Sequence, residues 1–115
     1  MKGNLPKAGH PEVEKVLQEV WKIHQAKNQD YSEAGHKDNG DVFSNFRMCE
    51  QFNVDTLSGI LVRMSDKWSR CMNLHAKEGR NAVQGEGLED AFLDLIGYAA
   101  IYLAELRDQE RGMNQ

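Results

Sequence analysis

The stretch LSGILVRMSDKWSRCMNL, residues 57–74, decides the fold class. Leu57, Ile60, Leu61, Met64, Trp68, Cys71 and Met72 recur three and four residues apart. At about 100° per residue this spacing gathers them on one face of an α-helix. The same periodicity places the helix between about residues 57 and 76, and a loop rich in glycine and polar residues, 77–85, follows it.

Working outward, a second long helix is expected over residues 86–107. Leu88, Phe92, Leu95, Ile96, Ala99, Leu103 and Leu106 form its main apolar face, and Leu93, Gly97, Ala100, Ile101 and Ala104 its other side. A helix apolar nearly all round belongs between its own bundle and a partner chain. Leu93, Gly97, Ile101 and Ala104 are the expected contact with that partner, because small residues permit close approach. Upstream, Pro11 followed by Glu12 and Glu14 reads as a first helical turn, with acids at the positive end of the dipole. Val13, Val16, Leu17, Val20, Trp21 and His24 continue it on one face. Residues 32–42 are a polar loop with Gly35, Asn39 and Gly40 as turn residues. A short helix anchored by Phe43 and Phe46 comes next, then a break at 53–56 where Asp55 or Thr56 caps the following helix. The expected fold is therefore all-α: one domain over 1–115, a bundle of three main helices plus short ones, with 1–10 and 108–115 flexible.

The chain has 115 residues, 40% of them hydrophobic and 28% charged, with a formal net charge of −4. These proportions belong to a folded globular domain. An acidic balance argues against nucleic acid as the main partner, since duplex binders carry a basic surplus. No apolar run approaches membrane-spanning length and the N-terminus has no apolar signal core, so a cytoplasmic protein of bacterial or viral origin is expected, with no membrane partner. Cys49 and Cys71 match no zinc or redox spacing and read as reduced thiols. His10, His24, His36 and His75 show no ligand spacing of the zinc type. A short helical domain buries a modest core, so a homo-oligomer, dimer or tetramer, is expected.

Charge carries the functional signal. Arg63, Lys67 and Arg70 lie four and three residues apart, on a strip beside the apolar face of their helix. Two guanidiniums and an ammonium at a core border suit phosphate oxygens. Asn73 and Asp66 lie farther round and could reach a base or ribose. The plainer explanation is a solvated helix with Asp66 paired to Arg70. Glu86, Asp90 and Asp94 lie four apart on the last helix. Carboxylates in such a row suit a Mg²⁺ shared with phosphate oxygens, or pairing with the cations of the preceding helix. Dipole complementarity explains Glu86, Glu89 and Asp90 at a helix start. It explains Asp94 less well, because Asp94 sits between Leu93 and Leu95. Lys27-x-x-Asp30-Tyr31 joins a cation, an acceptor and an aromatic able to stack on a base; helix termination and packing explain the same residues without a ligand.

Taken in order, Lys27-x-x-Asp30-Tyr31, Phe46, Arg63-x-x-Asp66-Lys67-x-x-Arg70-x-x-Asn73-Leu74 and Glu86-x-x-x-Asp90-x-x-x-Asp94-x-x-x-Tyr98 resemble the nucleotide modification associated domain 1 family, small helical proteins of phages and bacteria. More distantly they are similar to the all-α nucleoside triphosphate pyrophosphatases of MazG type, which hold Mg²⁺ with two carboxylate pairs on adjacent helices. The resemblance implies a nucleotide ligand held by Lys27, Asp30, Tyr31, Arg63, Asp66, Lys67, Arg70, Asn73 and Tyr98. It implies Mg²⁺ on Glu86, Asp90 and Asp94, with Asp90 and Asp94 catalytic in hydrolysis of a modified deoxynucleoside triphosphate. Here the preceding helix offers Asp66 among cations and no second carboxylate pair. That leaves open an alternative: a phage protein that sequesters a nucleotide or cyclic nucleotide signal against host defence, without chemistry.

Overall fold

A computed structural model describes residues 8–33, 43–81 and 86–113, and side chains within 8–28, 43–77 and 87–112. These residues form helix α1 (Pro11–Glu33), a 3₁₀ helix (Ser44–Phe52), helix α2 (Thr56–Asn81) and helix α3 (Glu86–Met113). No strand occurs among the described residues, and the all-α class expected from periodicity stands.

Local chemistry sets the boundaries. Pro11 opens α1, where a missing N–H costs nothing. The free N–H of Glu12 donates to His10 Nδ1 at 3.0 Å, so the His10 ring caps the first turn. The 3₁₀ helix stops at Asn53, which adopts φ 65°. Asparagine tolerates this left-handed conformation better than most residues. Two residues on, the Asp55 carboxylate accepts the Ser58 N–H at 3.0 Å and starts α2. The Thr56 hydroxyl donates to Glu50 Oε2 at 2.5 Å, which ties the 3₁₀ helix to the beginning of α2.

Two helices outrun their sequence-based ends. α2 continues through Asn81, because Lys77, Glu78 and Arg80 are good helix formers and one glycine at 79 does not stop it. α3 continues to Met113. No proline interrupts it, and the Arg111 guanidinium pairs with Asp108 one turn back. Residues 108–113, expected to be a flexible tail, are thus helical.

α3 is the central element. It packs on α2 along one side and on α1 along another; α1 and α2 do not meet among the described residues, and the 3₁₀ helix packs on α2. The innermost apolar side chains are Val20, Phe43, Ile60, Cys71 and Ala91. The main apolar face expected for α3 is not its most buried one. Ala91 and Glu105 are enclosed, whereas Phe92 and Leu103 stay partly exposed. The face assigned to a partner chain is occupied within the chain itself. Gly97 lies against Val20 of α1, close enough that an added Cβ would touch the Val20 methyl at 3.9 Å. No described helix is long and apolar enough to cross a membrane.

Candidate nucleotide site at the seam of three helices

On a helical wheel of α3, at about 100° per residue, Asp94 falls between the face turned to α1 (Leu93, Gly97, Ile101) and the face turned to α2 (Ala91, Tyr98, Glu105). A carboxylate at that seam reaches both neighbours. Lys27 Nζ of α1 lies 3.7 Å from Asp94 Oδ1, and Lys67 Nζ of α2 lies 3.4 Å from Asp94 Oδ2. The carboxylate flagged by its apolar flanks is therefore clamped by one ammonium on each oxygen. Lys27 is well exposed, while Lys67 and Asp94 are about 30% exposed, so solvent still reaches the cluster.

Aromatic rings continue the site from Lys67. Its ammonium stands 5.8 Å from the centroid of the Tyr98 ring. Phe46 meets Tyr98 edge to face at 5.8 Å, and Phe43 meets Phe46 in the same way at 6.4 Å. The Arg63 guanidinium lies 4.6 Å over the Phe46 ring and donates to the Asn45 carbonyl at 3.5 Å. Cations over ring faces are attracted by the aromatic quadrupole, which holds Lys67 and Arg63 in place before any ligand arrives.

Behind Asp94 opens a cavity of about 300 Å³ between α1 and α3. Trp21, His24, Lys27, Phe43, Asp94 and Tyr98 are among its lining residues, and the rest of the wall is aliphatic or small. Trp21 and His24 stack with ring centroids 5.7 Å apart. His24 Nε2 is 3.0 Å from the Asn28 amide. The apolar side chains form the floor, and the lysine–aspartate–lysine cluster forms one charged edge.

Of the residues singled out in the sequence, the structure gathers Lys27, Arg63, Lys67, Asp94 and Tyr98 around this seam. Arg70 is exposed farther along α2, and no ion pair to Asp66 forms among the described residues. Asp66 and Asn73 are exposed on the far flank of α2, away from the cluster. Asp90 is exposed one turn before Asp94. The side chains of Asp30, Tyr31 and Glu86 lie outside the described ones. Sequence periodicity missed the cavity wall, Trp21, His24 and Phe43, because those residues read as ordinary core. It also missed a second buried charge. Glu105, fully enclosed, takes both oxygens to the Arg47 guanidinium at 2.7 and 2.9 Å and accepts from Gln109 at 2.8 Å. This pair anchors the 3₁₀ helix, and hence Phe46, to α3.

No family model, curated protein or solved structure matches the chain.

The Mg²⁺ expectation can be tested against the side chains. Among the described residues no three His, Cys, Asp or Glu side chains come together as a metal group. Both Asp94 oxygens face ammonium groups, whose positive charge opposes a divalent cation at the same place. The described residues do not fit a Mg²⁺ centre at Asp94.

Proposed function

We propose that the chain is a nucleotide-binding protein that captures its ligand at the seam of α1, α2 and α3, a phage-type sequestering role being the natural use of such a site. The single observation that carries this reading is the Lys27–Asp94–Lys67 cluster at the edge of an aromatic-lined cavity. A phosphate binds by taking the two ammoniums from Asp94, exchanging one anion for another of higher charge. Charge-assisted hydrogen bonds of this kind contribute about 1.5–3 kcal/mol each. The base enters the cavity beside Tyr98 and Trp21, where a flat apolar ring replaces solvent. Arg63, held over Phe46, adds positive potential without giving up its place. Capture is favoured over hydrolysis because Asp94, expected as a metal ligand and catalytic group, has lysine partners on both oxygens.

The test is calorimetric titration of the protein in EDTA with a panel of nucleoside mono- and triphosphates and cyclic dinucleotides. Binding without metal, with intact ligand recovered, is expected for at least one member. Lys67→Ala should weaken it by roughly tenfold or more, equivalent to the loss of one charged contact. Tight binding that appears only with Mg²⁺, together with release of pyrophosphate, would instead establish a pyrophosphohydrolase. Absence of binding across the panel would end the nucleotide reading.

A further inference from the structure

The apolar arc of α1 is wider than α3 can cover. At about 100° per residue, Val13, Val16, Leu17, Val20, Trp21, Ile23 and His24 span an arc of about 160°. α3 takes one flank of it: Val20 is buried, and Val16, Ile23 and His24 are half-buried. On the other flank Val13, Leu17 and Trp21 are 57%, 56% and 59% exposed. These three lie four residues apart and form a continuous ridge along the helix. α1 is held by α3 alone among the described elements, so nothing else within them reaches that ridge.

Area says how much cover is lacking. The chain of 13.1 kDa exposes 8940 Å². A compact monomer of that mass exposes about 6,400 Å², so the surplus is about 2,500 Å². An obligate interface between two chains removes about 2,000–5,000 Å² in total. The surplus on each chain is of the size that self-association removes. A partner needed to complete the core must be present whenever the chain folds, and only another copy always is. The ridge also suits itself. When two α1 helices run antiparallel about a two-fold axis at Leu17, the small end of each ridge, Val13, meets the large end, Trp21, of the other.

We infer that a second copy of this chain docks on the Val13–Leu17–Trp21 ridge of α1, so that the protein is at least a two-fold dimer in solution. The face is a different one from the Gly97 side of α3, which α1 already covers, and it does not depend on the nucleotide reading.

Sedimentation equilibrium of the full chain at micromolar concentration should give at least twice the 13.1 kDa chain mass. Leu17→Glu with Trp21→Glu should return it to the monomer mass, whereas Trp68→Glu, on the exposed side of α2, should leave the assembly intact. A monomer in the unsubstituted protein overturns the inference, and so does an assembly that persists in the Leu17/Trp21 variant. Because that variant could lose its fold, a second measurement stands beside it. In Trp68→Phe, Trp21 is the one remaining tryptophan. Its emission should be blue-shifted and shielded from iodide at micromolar concentration, and should shift red on dilution. A red, quenchable Trp21 under conditions where the protein is assembled overturns the inference as well.

Discussion

Asp94 is where electrostatics and function meet at the scale of one residue. It neutralises two lysines brought from different helices, so its removal changes binding and stability in opposite senses. Asp94→Asn leaves the side chain's size nearly unchanged and frees the Lys27 and Lys67 ammoniums for an incoming phosphate. Nucleotide affinity in EDTA should rise several-fold, the consequence of deleting one negative charge a few ångströms from the phosphate at an effective dielectric near 20. Thermal stability should fall by no more than about 1 kcal/mol, since both pairs are partly solvated. Calorimetry and a thermal melt on the same variant check the two signs; reduced affinity would show Asp94 acting on the ligand itself. Cys71 offers a second residue-scale expectation. Burial pushes its thiol above the ordinary value of 9.0; Arg70 pulls it partly back, and Asp94 pushes it up again. In the unfolded chain the thiol ionises at its ordinary value while the folded one still holds its proton. The contribution of Cys71 to stability is therefore complete below pH 9 and declines as pH rises through the alkaline range. Denaturant midpoints at pH 8 and pH 10 should differ less in Cys71→Ala than in the unsubstituted protein. Asp94 was legible from Leu93 and Leu95 on either side of it. Glu105, between Ala104 and Leu106, gives the same signal, yet its partner Arg47 lies 58 residues away and no spacing rule connects them.

At the scale of elements, the existence and order of the helices were legible, and their rotation was not. Periodicity finds the centre of an apolar arc, but packing against a single neighbour uses whichever flank that neighbour can reach. In α2 the buried residues Ile60 and Cys71 sit toward the edge of the arc nearer Lys67, while Leu61 and Trp68 on the opposite edge remain exposed. That rotation brings the basic strip against α3 and makes the Lys67–Asp94 pair possible. It depends on the 3₁₀ helix filling the space beside α2, and Gly59 is the point of closest approach. A Cβ built there would lie 2.5 Å from Cys49 Sγ and 3.2 Å from its Cβ. Gly59→Ala should therefore destabilise the fold by about 1–3 kcal/mol, the usual cost of overpacking. Cys49→Ala removes the sulfur and should recover part of that loss, a coupling that urea denaturation of the single and double variants measures. Arg47 and Glu105 fasten the same 3₁₀ helix from the other side. Glu105→Ala leaves the guanidinium without its carboxylate and should cost about 3 kcal/mol, while Arg47→Met with Glu105→Leu should cost much less, because the two desolvation penalties vanish together.

For the whole molecule, dimension and chemistry point the same way. The radius of gyration is 17.5 Å, against about 13 Å for a compact chain of this length. α3 is flanked by two helices that do not touch each other among the described residues, so each relies on α3 for its position. Lys27 is the site residue most exposed to this weakness, being carried by α1 near the C-terminal end of its described side chains. Docking a second copy on the α1 ridge would steady the helix that supplies Lys27, and a phosphate bridging Lys27 to Lys67 would steady the same helix from its other side. Two events that each favour one position of α1 must favour one another, and by equal factors. A nucleotide should then raise the assembled fraction of protein held near its own dissociation concentration, and assembly should tighten nucleotide binding by the same factor. Sedimentation with and without ligand gives the first factor, and titrations at low and high protein concentration give the second. Lys27→Ala is the decisive control. It should keep the assembly, since Lys27 lies off the Val13–Leu17–Trp21 ridge, and should abolish the effect of nucleotide on it. Coupling that survives in Lys27→Ala would mean that ligand and second copy communicate through α3 rather than through α1.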